Sequence, residues 1–365
     1  EAAASTGGQL MPPVMGAAAF LMAEFVGVPY FDVVKAATIP ALLYFLGIWL
    51  GVHFEARRSN LKGVPRSELP KPWEILKERG HLAIPLIVII YLLVSGFTPM
   101  RAALWAIVLA IAASSLRKST RMKPVEIVRG LENGARNVLG VLVACASAGI
   151  IIGVVTKTGV GLKLASALLD LSGGMLLPTM FFTMITSIIL GMGVPTTANY
   201  VITSTIAAPA LVQMGVPVLA AHMFVFYFGI IADVTPPVAL AAFAGSAISG
   251  GKPLKTGINA SKLAIAAFII PYIFVLSPVV LMIDATPISL ITVLVTSVIG
   301  MVGLSASMIG CLVKPLNGLE RVMLFVGGLL MIQPGLVTDL VGFLLLASVL
   351  FFQQRRSKAE ASSLG

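Results

Sequence analysis

The chain has 365 residues, of which 58% are hydrophobic and 11% charged, and a formal net charge of +10. An ordinary soluble domain carries about 25% charged residues, so a soluble globule, a disordered chain and a DNA-binding domain are excluded. Apolar runs of about 20 residues recur along the whole length, which suits bilayer-crossing helices rather than ten-residue barrel strands.

An all-α polytopic membrane protein is therefore expected. Residues 14–26 are apolar and end at Gly27-Val28-Pro29, with Glu24 expected at the rim. A span follows at about 33–54, then a charged loop, 55–80, holding Pro65, Pro70 and Pro72. Spans at about 82–97 and 99–116 form a hairpin through Gly96-Phe97-Thr98-Pro99, and a second basic loop covers 117–136. Within it, Pro124 to Asn137 places Val125, Val128 and Leu131 on one face, the pattern of an interfacial helix. A span at 138–156 precedes a Gly-rich, less regular stretch at 157–174. Spans at about 175–190 and 196–213 flank Gly191-Met192-Gly193-Val194-Pro195. The apolar segment 217–249 is interrupted by Asp233-Val234-Thr235-Pro236-Pro237. Spans at about 259–283 and 287–312 come next. Last is a pair at 321–333 and 336–352 around Gln333-Pro334-Gly335, each arm short for a full crossing. The opening Glu1-Ala2-Ala3-Ala4 lacks the flank of a natural start, so an N-terminally truncated chain is expected.

Residues 55–80 hold 11 charges, 117–136 hold 8 and the tail after Phe352 holds 4, with basic residues in excess in each. That bias marks cytoplasmic loops, not a nucleic-acid surface. Cys145 and Cys311 sit in separate apolar runs and read as buried small residues. His53 and His81 read as interfacial, and His222 as a packed or polar-paired histidine. No HExxH is present. The glycines at 245 and 250 make no phosphate loop, because Gly251 stands where the lysine is required. No enzyme is expected.

The most informative feature is a self-match. Pro12-Pro13-Val14 followed by Ala17-Ala18-Ala19-Phe20 recurs as Pro236-Pro237-Val238 followed by Ala241-Ala242-Phe243, at an offset of 224 that also sets Pro29 on Pro253 and Gly27 on Gly251. If 33–54, 82–97, 99–116, 138–156 and 217–249 each cross once, the count between copies is odd and the copies are inverted. The segment 175–213 then enters and leaves on one side. Lys252 and Lys255 after the second copy, against Asp32 after the first, place the second turn inside. Inverted repeats with broken helices point to a secondary transporter whose site lies at the breaks.

Glycine and proline in Gly191–Pro195 free backbone carbonyls, which are costly in lipid unless an ion, water or protein group meets them. Thr196, Thr197 and Asn199 add side-chain oxygens, and sodium is a hard cation that such oxygens suit. The helix starting near Thr196 turns its positive end to the tip and favours an anionic group. Asp233 lies mid-segment, where a carboxylate marks ion coupling or a stabilised break. Gln9, beside Gly7 and Gly8, is its counterpart in the first copy.

At these motifs the chain resembles the large membrane permease subunit of TRAP (tripartite ATP-independent periplasmic) transporters, of the type fused to the small subunit. The carrying strings are Gly7-Gly8-Gln9-Leu10-Met11-Pro12-Pro13-Val14, Gly191-Met192-Gly193-Val194-Pro195-Thr196-Thr197-Ala198-Asn199-Tyr200 and Ala232-Asp233-Val234-Thr235-Pro236-Pro237-Val238. The resemblance covers about 1–285. It implies an elevator-type importer that takes an organic acid from a periplasmic solute-binding protein, with sodium as coupling ion and no other cofactor. It implies sodium at Gly191, Gly193, Thr196 and Asn199 with Ala232 and Thr235, and a second sodium at Gly7, Gly8 and Gln9. Substrate would lie near Pro195, Thr197, Pro12 and Pro236. A small membrane subunit, fused N-terminally and missing, and a bacterial or archaeal inner (cytoplasmic) membrane complete the expectation. The organisation implied is 1–54 as the end of the first inverted repeat, 55–137 as cytoplasmic loops and a connecting hairpin, and 138–285 as the second repeat with re-entrant hairpin 175–213. An extra C-terminal membrane region, 286–352, and a cytoplasmic tail, 353–365, follow. The alternatives are a proton- or sodium-coupled carboxylate carrier that needs no binding protein, or a membrane scaffold.

Overall fold

The computed structural model describes residues 1–61 and 63–363, so Lys62 of the charged loop and residues 364–365 of the expected tail lie outside the described residues. Eighteen α-helices and no strand occur among the described residues; the backbone bridge between Cys311 and Pro315 is isolated. The all-α expectation holds.

The first copy of the repeat comprises α1 (Ala2–Gly7), α2 (Ala17–Val26) and α3 (Tyr30–Arg58). A charged connection carries α4 (Pro72–Arg79) and leads to α5 (Ile84–Val94) and α6 (Pro99–Ser114), which pack on each other. The 11 residues of α5 reach only about 16 Å, half the hydrocarbon thickness. The single crossing expected at 82–97 is therefore not made by this helix alone. Removing the α5–α6 pair from the count leaves the parity between the copies odd.

Helix α7 (Pro124–Thr158) runs unbroken for 35 residues. The expected interfacial helix and the span after it are thus one element. Gly130 and Gly134 do not interrupt it, and Glu132 pairs with Arg136 along its charged half at 2.8 Å. Gly159 ends it in the left-handed conformation, and α8 (Val160–Leu171) leaves at a 73° bend. The stretch expected to be irregular is a regular helix.

Next come α9 (Leu176–Gly191), α10 (Thr196–Ile206) and α11 (Ala208–Gln213), the last two parted at Ala207 because Pro209 has no amide hydrogen to continue the ladder. Both α10 and α11 pack against α9, so the chain doubles back at 192–195. Helix α12 (Val218–Ile231) forms the centre of the molecule: from Ala220 to Ile231 every residue but His222 is buried. A helix that is apolar all round belongs in a core. After a tight break come α13 (Leu240–Ser249), α14 (Pro253–Leu263) and α15 (Ile265–Leu276).

The C-terminal region is a bundle of α16 (Pro287–Ile309), α17 (Gly318–Leu330) and α18 (Leu336–Ser363). Small residues bring these helices together, as in membrane bundles: a β-carbon on Gly328 would stand 2.8 Å from the Gly300 carbonyl oxygen. Its second arm was expected to be too short to cross. Instead Leu336–Arg356 is one of four segments among the described residues long and apolar enough to do so, with Tyr30–Arg58, Pro253–Leu276 and Pro287–Ile309; the bent α7–α8 pair makes a fifth if it is one span. Residues 353–363, in the expected tail, continue α18. The protein is a multi-pass membrane protein.

The two copies share backbone detail. Met15 and Ala239 both take positive φ, 53° and 38°, and their amides donate to Met11 and Thr235 carbonyls four residues back. Both Pro-Pro bonds are cis. Each copy then forms a ten-residue helix ended by a left-handed glycine. The glycine equivalent to Gly27 is Gly250, not Gly251. The first copy carries one extra residue, Gly16, before its short helix, and the register recovers before Pro29 and Pro253.

The copies also interlock. The short helix α2 packs against α12, which precedes the second break, while α13 packs against α1, which precedes the first. The equivalent long helices α3 and α14–α15 lie antiparallel, with Gly47 beside Ala266 and Gly51 beside Leu263. Reciprocal contacts of this kind are what a two-fold relation between the copies requires.

Candidate functional site

The site grows from the turn between α9 and α10. Helix α9 ends at Gly191, Gly193 takes φ 72°, and the Val194 amide reaches the Gly191 carbonyl oxygen at 3.4 Å. Pro195 precedes the first turn of α10, which closes when the Asn199 amide donates to the Pro195 carbonyl at 2.9 Å. Asn199 therefore sits one turn inside α10 and points back at the tip.

Four residues meet there. A β-carbon built on Gly191 would stand 2.7 Å from Asn199 Nδ2, 3.1 Å from Ala232 Cβ and 3.2 Å from the Gly229 carbonyl oxygen. A β-carbon on Gly229 would stand 2.5 Å from Asn199 Nδ2. Both glycines are therefore needed for the asparagine to lie between α9 and α12. Asn199 is 1% exposed, and its Oδ1 has no hydrogen-bond partner. A buried amide oxygen without a partner is unfavourable by about 1–3 kcal/mol. It is a free acceptor held between α9 and α12, where the Gly229 carbonyl oxygen is a close neighbour of Gly191.

The other expected residues distribute as follows. Ala232 is in the cluster; Thr235 is half-buried at the break, its hydroxyl donating to the Ile231 carbonyl at 2.7 Å. Thr196 and Thr197 are half-buried at the start of α10, Pro195 is exposed, and Gly193 faces open space. Asp233 is half-buried and forms no ion pair among the described residues.

In the first break, Gly7 lies under the Tyr44 ring, whose hydroxyl donates to the Ala3 carbonyl at 2.5 Å. Gly8 is exposed and Gln9 half-buried. Pro12 and Pro236 each occupy the turn after their helix, and α1 touches the segment Ala232–Val234 of the second break. So the two breaks adjoin. Sequence reading missed Gly229; the signal was its being the one glycine in the apolar run 218–231. His222 is polar-paired, its Nδ1 2.7 Å from the Tyr200 hydroxyl, which ties α10 to α12.

Broken helices, a doubled-back pair and a buried cluster around an unpartnered amide oxygen define a polytopic membrane protein of the transporter class. The chain belongs to the family described as tripartite ATP-independent periplasmic transporter, DctM component, whose model matches residues 1–289. No curated relative matches the chain. It is thus a TRAP transporter permease component, of a class that works with a periplasmic binding protein and a small membrane subunit. The match ends as α16 begins, so the C-terminal bundle lies almost wholly outside it.

Proposed function

We propose that this permease imports organic acids delivered by a periplasmic binding protein, coupled to sodium, by an elevator-type displacement in the bacterial or archaeal inner membrane. The observation that carries the reading is the partnerless Oδ1 of Asn199, held among Gly191, Gly229 and Ala232. No group of three or more His, Cys, Asp and Glu side chains that could hold a metal exists among the described residues. A cation at the tip would therefore be met by amide, hydroxyl and main-chain oxygens, a set that suits a hard, singly charged ion.

In this account Gly191, Gly193, Thr196 and Asn199, with Ala232 and Thr235, take one sodium ion, and Gly7, Gly8 and Gln9 contribute to a second. The N-terminus of α10, with Thr197 and Pro195, and the turns at Pro12 and Pro236 receive the substrate carboxylate. Asp233 fixes the break or takes part in coupling. The segment α9–α11 acts as a re-entrant hairpin, and the repeats are inverted across the membrane.

The test is reconstitution of the full-length permease with its small subunit and binding protein in vesicles. Uptake of a labelled organic acid that needs both the binding protein and an inward sodium gradient supports the proposal. Uptake indifferent to sodium contradicts it.

A further inference from the structure

The end of α3 meets α14 and the end of α16 around a cavity of about 210 Å³, lined by Glu55, Arg58, Asn259, Lys262, Leu263 and Met308 among others. A second hollow, of about 320 Å³, continues from it, since Lys262 and Met308 line both. Ile258, Ile265 and Phe268 make this groove apolar, and it ends at Thr235 and Pro236 of the second break.

The polar mouth carries a surplus of positive charge. Arg58 is held in place by the Ile309 carbonyl at 3.0 Å and by Glu55 at 2.8 Å. Lys262 has no ion-pair partner among the described residues. Arg58 also lines an adjoining cavity of about 360 Å³ together with Arg57 and Lys314. A basic mouth leading into an apolar groove is complementary to an amphiphile with an anionic head. Basic pockets between membrane helices on the cytoplasmic side take anionic lipid head groups, and the basic 55–80 loop assigns this end of α3 to that side.

We propose that an anionic phospholipid of the cytoplasmic leaflet occupies these two hollows. Its phosphate lies at Arg58 and Lys262, and one acyl chain runs along Ile258, Ile265 and Phe268. The lipid then packs beside the second break.

The experiment is native mass spectrometry of the delipidated full-length protein given phosphatidylglycerol, phosphatidylcholine, or phosphatidylglycerol with millimolar inorganic phosphate. Preferential retention of phosphatidylglycerol is expected, unaffected by phosphate and reduced about fivefold by Lys262→Gln. Lys262 is exposed and makes no ion pair, so this variant should fold; Lys255→Gln, outside the hollow, should change nothing. Equal retention of both lipids, displacement by phosphate, no effect of Lys262→Gln, or an equal effect of Lys255→Gln would overturn the proposal. The readout is lipid retention, so its outcome is independent of sodium coupling.

Discussion

Gly47 on α3 and Ala266 on α15 approach so closely that a β-carbon on Gly47 would overlap the one on Ala266. One turn along, Gly51 meets Leu263, so the residue numbers run in opposite senses and the helices are antiparallel. Each is the long helix that follows a break in its own copy of the repeat. This seam joins the two copies, and glycine is required at its centre. Gly47→Leu should lower stability by about 1–3 kcal/mol, the usual effect of overpacking, seen as a lower melting temperature in detergent. Val52→Leu, at an exposed position of the same helix, should leave it unchanged.

The same reasoning applies to Gly229, which leaves the space that Asn199 fills. Gly229→Ala displaces the asparagine from the tip. The sodium concentration for half-maximal uptake should rise about tenfold, equivalent to about 1.4 kcal/mol. Gly245→Ala is the control, because nothing lies within 4 Å of a β-carbon there. A sodium titration that is the same in both variants would remove Asn199 from the proposed site.

Asn199→Leu separates stability from function. The side chain is buried and its Oδ1 is unpartnered, so removing it relieves a desolvation cost. Melting in sodium-free buffer should be unchanged or improved by about 1 kcal/mol, while sodium-dependent uptake is lost. Loss of fold with loss of transport would mean that the asparagine is structural.

Hydropathy and punctuation made much of this legible. The long apolar runs, the turn at Gly191–Pro195 and the two Pro-Pro breaks are local signals, and each sits where the residues place it. What was not legible depends on tertiary contact. Asn199 and Gly229 are thirty positions apart, and nothing in either segment names the other. The one-residue slip at Gly16 is invisible to an offset fixed by prolines. The change from the charged segment ending at Asn137 to the apolar run from Val138 suggested a boundary inside α7, but the helix runs through it, and Gly130 and Gly134 lower helix stability without ending it. Gln353 read as the start of a tail because it follows an apolar run, yet it is 1% exposed.

That glutamine gives a further prediction. Its Oε1 accepts from the Val313 and Lys314 amides at 3.2 and 3.1 Å, and its Nε2 donates to the Lys314 carbonyl and to Glu320. It clamps the connection between α16 and α17 to α18. Gln353→Leu leaves those backbone groups unpaired, at about 1–3 kcal/mol. Faster amide exchange confined to residues 310–317 is expected, with sodium-dependent uptake retained.

The central claim is that the two copies face opposite ways across the bilayer, and labelling from each side tests it most directly. In a variant with Cys145 and Cys311 replaced by serine, single cysteines at Val28 and Gly251, equivalent turns of the two copies, would be exposed to a membrane-impermeant maleimide in intact cells and in inverted vesicles. The account predicts labelling of position 28 from the outer side only and of position 251 from the cytoplasmic side only. Labelling of both positions from one side would contradict it.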